Sequence, residues 1–456
     1  MANMSKRVLF VAYYFPPLGM GGVQRAAKFV KYLPEFGWEP VVVTVKDVAY
    51  FARDEALARE VEGRRIHRTG SLDPQRLLAI VRGGNEAEGD TNASRGLGSL
   101  WKAYETLSKW VFVPDGKVLW LPFAMCRAIR AAKTGRISVV VTTSPPVSAH
   151  LVGLVLRWGL GCRWVADFRD QWTGGHLDLS PTRLHAVLNR ALERLVLRCV
   201  DAVVCVSREL SLSLRDKSGR ESLPVAIIPN GYDEQDFRPV PPRRSSTRNI
   251  VYCGSISRLA DPSNLLKACA SLVSRRPEFR RILRVTFVGE SIGLDLPGLV
   301  ARLGLDRLVD CTGYVEHDKA VRFLQEADLL VLLLTGTTSR DVVPGKVFEY
   351  LRAGKPILAI VPPGETADLL RGYAPGAVLT DNSVASIEQG LMEVLTRPAR
   401  THRVDMLRLQ RFERRYLTGQ LAEVLNKASG RQEEDSGNLE SRALDARAHY
   451  ERTTKE

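Results

Sequence analysis

The sequence predicts an α/β protein built as two doubly wound domains that face each other across a cleft. Three observations carry this expectation. Continuous apolar runs of strand length alternate with segments of helical period, the pattern of buried parallel strands joined by helices. That alternation breaks once, at FRPVPPRRSSTR (237–248), whose proline and charge content is that of a linker. It then restarts with six further strand-like runs. The predicted domains are therefore 1–236 and 249–400, each Rossmann-like in its strand and helix order.

KRVLFVAYYF opens the chain as a buried strand, and the PPLGMGG that follows must be a loop. VQRAAKFVKYLPEFGW places apolar residues at helical spacing and stops near Gly37, after which EPVVVTV is the second strand. Strand, glycine loop, helix and strand in this order form a βαβ unit, which is parallel with a right-handed crossover. Residues 81–98, VRGGNEAEGDTNASRGLG, are polar, glycine-rich and aperiodic, predicting a mobile insertion. ISVVVTT, the helix SAHLVGLVLRWG, RWVADF, a long helix around SPTRLHAVLNRALERLVLRC, and DAVVCVS continue the first domain. In the second, NIVYCGS, RVTFVGE, LVDCTGYV, ADLLVLLLT, KPILAIV and GAVLT are the strands, with helices such as SNLLKACASLVSRR and HDKAVRFLQEA between them. Residues 401–428 read as a helical segment and 429–456 as a polar tail.

Bulk properties narrow the class. The first apolar run, VLFVAYYF, is eight residues long and breaks at Pro16 and Pro17. No later run approaches the roughly 20 residues of a spanning helix, so a cytoplasmic protein is expected. Seven cysteines with no C-x-x-C spacing read as reduced core residues rather than metal ligands. The net charge is +14, and residues 101–200 hold 14 Lys and Arg against 6 Asp and Glu. Such a surplus suits phosphate-bearing partners or an anionic membrane. No recognisable nucleic-acid reading module accompanies it, so nucleic acid is not an expected partner.

Several chemistries lack their signatures. In LGMGG the sixth position of G-x-G-x-x-G is Gln24, so a dinucleotide fingerprint is not completed, although Gly21 and Gly22 still let main-chain amides approach a phosphate or sugar. G-x-x-x-x-G-K-[ST], H-E-x-x-H and D-x-D are all absent. One stretch stands out. After the buried run ADLLVLLLTG comes DVVPGKVFE, with Asp341 and Glu349 eight residues apart around Pro344, Gly345 and Lys346. Pro-Gly suits the turn into a helix KVFEYLRAG, whose exposed amides face the carboxyl end of the sheet, where open α/β sheets bind ligands. The competing reading is a solvated helix with acids at its favoured end.

The ordered set YYFPPLGMGGVQR, TTSPPVSAHLVG, WVADFRDQWTGG, VSRELSLSLR, IPNGYDEQDFRP, VTFVGE and PGKVFEYLRAGKPILAI resembles the retaining GT-B glycosyltransferases of family 4, over about 400 residues. The resemblance implies a nucleotide-diphosphate sugar held mainly by the second domain, an acceptor approached by the first, and no required cofactor. It places Glu349 on the ribose hydroxyls, since a carboxylate accepts two such hydrogen bonds well. Asp341 stands where the family's first glutamate touches the sugar, one methylene shorter. Amides near Val343 and Gly345 lie by the sugar and diphosphate, and Pro344 offers none. Arg258, after Gly254 in YCGSISRLADP, is the implied diphosphate cation. The family's following lysine is replaced by Asp261 or Pro262, leaving Lys346 as the second cation. Arg169 stands where many relatives have a histidine; either it and Asp170 serve the site or they form a structural pair. His150 is a minor candidate, equally suited to a surface or capping place.

Transfer with retention then has the acceptor hydroxyl attack from the face that the diphosphate leaves, the leaving oxygen taking the proton; a double displacement through Asp341 or Asp170 stays open. A nucleotide-sugar epimerase or hydrolase, or a non-catalytic binding relative, are the rival readings. Finally, residues 101–136 combine Trp101, Tyr104, Trp110, Phe112 and Trp120 with Arg127, Arg130 and Lys133 on one helix flank. This predicts peripheral contact with the inner membrane face and a glycan or lipid-linked acceptor, in cell-envelope or exopolysaccharide synthesis. The alternative is core aromatics beside a solvated helix face.

Overall fold

A computed structural model describes residues 6–19, 21–46, 48, 52–73, 76, 110–175, 180–241, 247–336, 342–373, 377–396 and 405–430. The predicted insertion at 81–98, nearly all of the polar tail, Trp101, Tyr104 and Asp341 lie outside the described residues.

The chain forms two wholly parallel sheets with helices, the two-domain GT-B architecture. The first holds β1 (Lys6–Val11), β2 (Trp38–Val45), β3 (Arg65–Thr69), β4 (Ile137–Ser144), β5 (Arg163–Phe168), β6 (Ala202–Cys205) and β7 (Val225–Ile227), in the order β3-β2-β1-β4-β5-β6-β7. The second holds β8 (Arg248–Cys253), β9 (Leu283–Val288), β10 (Val309–Gly313), β11 (Leu329–Leu333), β12 (Ile357–Ile360) and β13 (Ala377–Leu379), ordered β10-β9-β8-β11-β12-β13. In each, strand order reverses between the first strand and its fourth, β1 beside β4 and β8 beside β11, which opens a crevice at the carboxyl ends. The apolar runs explain the cores: Val8 to Val11, Val139 to Val141 and Leu330 to Leu332 are fully buried. The edge strand β3 carries RIHRT, half solvated, and β7 is three residues long, so neither shows the apolar run of the interior strands.

The chain crosses back at its end. Leu417, Leu421, Ala422 and Leu425 of the helix Arg414–Ala428 sit in the core of the first domain. This return places the start of that helix beneath the interdomain segment, with the Arg414 amide donating to the Tyr232 carbonyl at 2.7 Å. Gly231 packs against the Phe412 carbonyl so closely that a Cβ would overlap it. All seven cysteines are unpaired; Cys205 and Cys269 are buried, whereas Cys126 and Cys311 are exposed.

Candidate active site

Between the carboxyl ends of the two sheets lies a cavity of about 530 Å³. Gly21, Gly22, Arg169 and Asp170 line it from the first domain, and Gly254, Val343, Gly345, Lys346 and Glu349 from the second.

The second wall is built around the helix Lys346–Ala353. Val347, Phe348, Tyr350 and Leu351 are buried and fix its orientation, which leaves Gly345, Lys346 and Glu349 toward the cleft. Tyr350 locks this helix to the end of β8: its hydroxyl accepts from the Cys253 amide at 2.7 Å and donates to the Cys253 carbonyl at 3.2 Å. Lys346 donates to Tyr252 Oη at 2.7 Å, with its ammonium 4.3 Å from the Tyr252 ring centroid. Gly254 has φ +130°, and a Cβ there would collide with the end of Lys346. Only glycine lets the lysine cross at this point. Arg258 goes elsewhere. It is exposed and is not among the lining residues, because the turn closed by the Ala260 amide on the Ser257 carbonyl at 2.9 Å carries it to the surface.

On the first wall, Arg169 donates to the carbonyls of Ser144 (2.8 Å), Pro145 (2.9 Å) and Gly22, so its guanidinium clamps the glycine loop to the ends of β4 and β5. Asp167, two residues earlier, is buried and belongs to Arg25, whose Nη2 lies 2.8 Å from Asp167 Oδ1. Thr143 Oγ1 donates to the same carboxylate at 2.7 Å, and Arg25 Nη1 reaches the Pro229 carbonyl at 2.9 Å. The acids and arginine of ADFRD thus divide between a buried ion pair and the cleft. Arg25 escaped the sequence reading; its only signal is a charge on the buried face of the helix Gly21–Tyr32. His150 is fully buried, 2.8 Å from Thr142 Oγ1 through Nδ1. Burial pushes its pKa down to about 3 against the pull of Asp167, so it is a neutral interior residue away from the cavity lining.

A second group missed by sequence joins the domains. His317 starts the helix His317–Glu326 and lines the cavity. Its amide donates to Asp54 Oδ2 at 3.1 Å, while Asp54 Oδ1 accepts from Leu57, so one carboxylate caps a helix in each domain. The ring Nε2 lies 3.1 Å from Asp236 Oδ2 and 3.7 Å from Glu349 Oε1, and Nδ1 meets the Gln24 amide at 2.8 Å. Burial opposes the charge on His317, but Glu349 and Asp236 outweigh it and raise the pKa to about 9. The Gln24 atom 2.8 Å from Nδ1 is Nε2, so an imidazolium, which donates from both nitrogens, is served there only with the Gln24 amide turned to offer its oxygen. Asp236 also takes Lys28 Nζ at 3.0 Å, and Lys28 is buried between Asp233 (2.7 Å) and Glu60 (2.8 Å).

The description "Glycosyl transferase 4-like domain" matches residues 20–231, and "Glycosyl transferases group 1" matches residues 233–406. The chain belongs to the group 1 glycosyltransferases of family 4. Among relatives of this group 1 chain, a D-inositol 3-phosphate glycosyltransferase of Streptomyces avermitilis is 28% identical over 176 residues, covering 34% of this chain and 37% of the relative. The match therefore spans well under half of that relative's length. In fold the group 1 chain is similar to sucrose-phosphate synthase from Thermosynechococcus elongatus (TM-score 0.61, 16% identity, 92% of this chain and 98% of that one). It is similar also to WaaG, a glycosyltransferase involved in lipopolysaccharide biosynthesis (TM-score 0.55, 15% identity, 92% and 98%). At such identities the likeness is one of fold.

Proposed function

We propose that this protein transfers a sugar from a nucleotide-diphosphate sugar to an acceptor hydroxyl with retention of configuration. One observation carries the reading: Gly345, Lys346 and Glu349, a helix start, an ammonium and a carboxylate within about one turn, line one wall of a cleft whose other wall is a glycine helix start. In this reading Glu349 accepts the ribose hydroxyls, while Lys346 and the amides at Gly345 face the diphosphate. The acceptor hydroxyl attacks the anomeric carbon from the face that the diphosphate departs, the bond to the diphosphate breaks, and its oxygen takes the hydroxyl proton. Charge grows on the leaving diphosphate, and donors fixed in place beforehand stabilise it there; one such donor typically contributes about 3 to 4 kcal/mol.

The test is a panel of nucleotide sugars incubated with and without acceptors. Acceptor-dependent release of nucleoside diphosphate is the expected result. Conversion without an acceptor supports an epimerase or hydrolase instead, and binding without turnover a non-catalytic relative.

For the acceptor, the reading is a glycan or lipid-linked molecule of envelope or exopolysaccharide synthesis, met at an anionic membrane surface. Its support lies on the helix Leu121–Thr134, where exposed Phe123 shares a face with Arg127 and Arg130, and in exposed Trp110 and Val111 nearby in sequence. Trp120 takes no part in that surface: it is fully buried and donates to Thr69 Oγ1 at 2.8 Å. Among the described residues no helix is long and apolar enough to cross a membrane. The name of the Streptomyces relative supports a second acceptor class, a soluble phosphorylated polyol. Co-sedimentation with anionic vesicles separates the two. Salt-sensitive binding that is lost on changing Arg127, Arg130 and Lys133 together to Glu supports the first, and no binding at low salt supports the second.

A further inference from the structure

Arg414 opens the helix Arg414–Ala428 and lines the cleft from below. Its main chain is held firmly: the amide is bound by the Tyr232 carbonyl, and the carbonyl accepts from Thr418 Oγ1 at 2.7 Å. The side chain is only 4% exposed. Yet the guanidinium has no hydrogen bond or ion pair to any described residue, and Nη1 is buried with no partner. Arg25, equally deep, shows the ordinary solution with Asp167 and the Pro229 carbonyl. An ionised guanidinium carries five N–H donors, and the two on Nη1 are left unserved away from water, which is costly.

Nearby carboxylates are already engaged. Asp233 holds Lys28, Lys31 and the Tyr32 hydroxyl, and Asp236 holds Lys28 and His317. Burial, reinforced by Arg25, loosens the Arg414 proton against the pull of Glu349 and the two aspartates, but with a pKa lowered only to about 10 the group is still cationic at neutral pH. A fixed cation with free donors in a cleft awaits an anion. The second wall is short of one, since Arg258 lies at the surface and Asp261 and Pro262 stand where the family resemblance implies a lysine.

We propose that Arg414 is a donor-binding residue whose guanidinium takes the phosphate oxygens of a bound nucleoside diphosphate, completing with Lys346 a pair of cations around it. The proposal rests on the donor-site reading of the cleft. It also lies outside the segments that match the family descriptions, which end at residue 406. The final helix thereby has two tasks: its apolar face completes the first domain, and its first residue serves the donor.

The experiment uses the full chain with Arg414→Gln and Arg414→Met. Melting is measured without ligand, and UDP, GDP and ADP are titrated beside their nucleosides. Because the guanidinium is unpaired, both variants are expected to melt at or above the wild-type temperature. Whichever diphosphate binds the wild type is expected to bind them at least about tenfold more weakly, as loss of a charge-assisted contact implies, with nucleoside affinity unchanged. A melting temperature several degrees lower, or a failure to fold, contradicts the unpaired state on which the inference stands. Equal diphosphate affinity, or equal proportional loss for nucleoside and diphosphate, overturns the phosphate contact. If no nucleoside diphosphate binds the wild type, the donor-site reading fails and takes this one with it.

Discussion

His317 and Glu349 meet on the cleft wall, Nε2 to Oε1 at 3.7 Å, with Asp236 on the same nitrogen at 3.1 Å. The pair makes the folded protein sensitive to pH. A histidine raised from 6.5 to about 9 adds stability that is fully present below pH 6.5 and is lost as pH rises through 9. Between these limits the wild type should lose about 2 to 3 kcal/mol that His317→Gln does not lose. Urea denaturation of both proteins across pH 6 to 10 checks this; parallel curves would contradict a charged His317.

Glu349→Ala should keep the fold, because the side chain projects from a helix held by four buried neighbours. Nucleoside diphosphate affinity should fall by about 1.5 to 3 kcal/mol, the usual contribution of a charged hydrogen bond. Calorimetry gives the answer, and unchanged affinity would remove Glu349 from the ribose.

Lys346→Met and Gly254→Ala probe one crossing from both sides. The first is expected to lower kcat more than donor affinity, since charge on the leaving group grows in the transition state. The second forces a Cβ into the lysine at φ +130° and should reduce stability as well as turnover. Steady-state kinetics with melting curves separates the two patterns.

Arg25→Met leaves the Asp167 carboxylate buried without its counter-charge, held by the Thr143 hydroxyl, and breaking a buried pair in this way typically costs about 3 to 5 kcal/mol. Arg25→Met with Asp167→Val should be markedly less destabilised than the single variant. Chemical denaturation of the three proteins measures the difference.

What the sequence discloses follows from how each feature is encoded. Interior strands such as ADLLVLLLT are buried on both faces and announce themselves as apolar runs, and in the second domain the two edge strands, within LVDCTGYV and GAVLT, are legible beside them. The edge strands RIHRT and VAI are half solvated or short, so the pattern passes over them. Gly345, Lys346 and Glu349 are legible together because one turn of one helix carries them. Arg25, Asp167, His317, Asp236 and Arg414 are not. Each pairing or clustering among them joins distant parts of the chain, and only burial shows which charge must be matched by another. Arg258 illustrates the converse: a position adjacent to a glycine loop says nothing of whether the turn aims its side chain inward.

The most direct measurement is a ¹H NMR time course of the donor and acceptor pair found active in the nucleotide-sugar panel, following the anomeric proton from donor to product. Product is expected only with acceptor, one nucleoside diphosphate per linkage, with an anomeric coupling constant that matches the donor's configuration. An inverted anomeric signal, or sugar released or epimerised at the same rate without acceptor, would contradict retaining transfer.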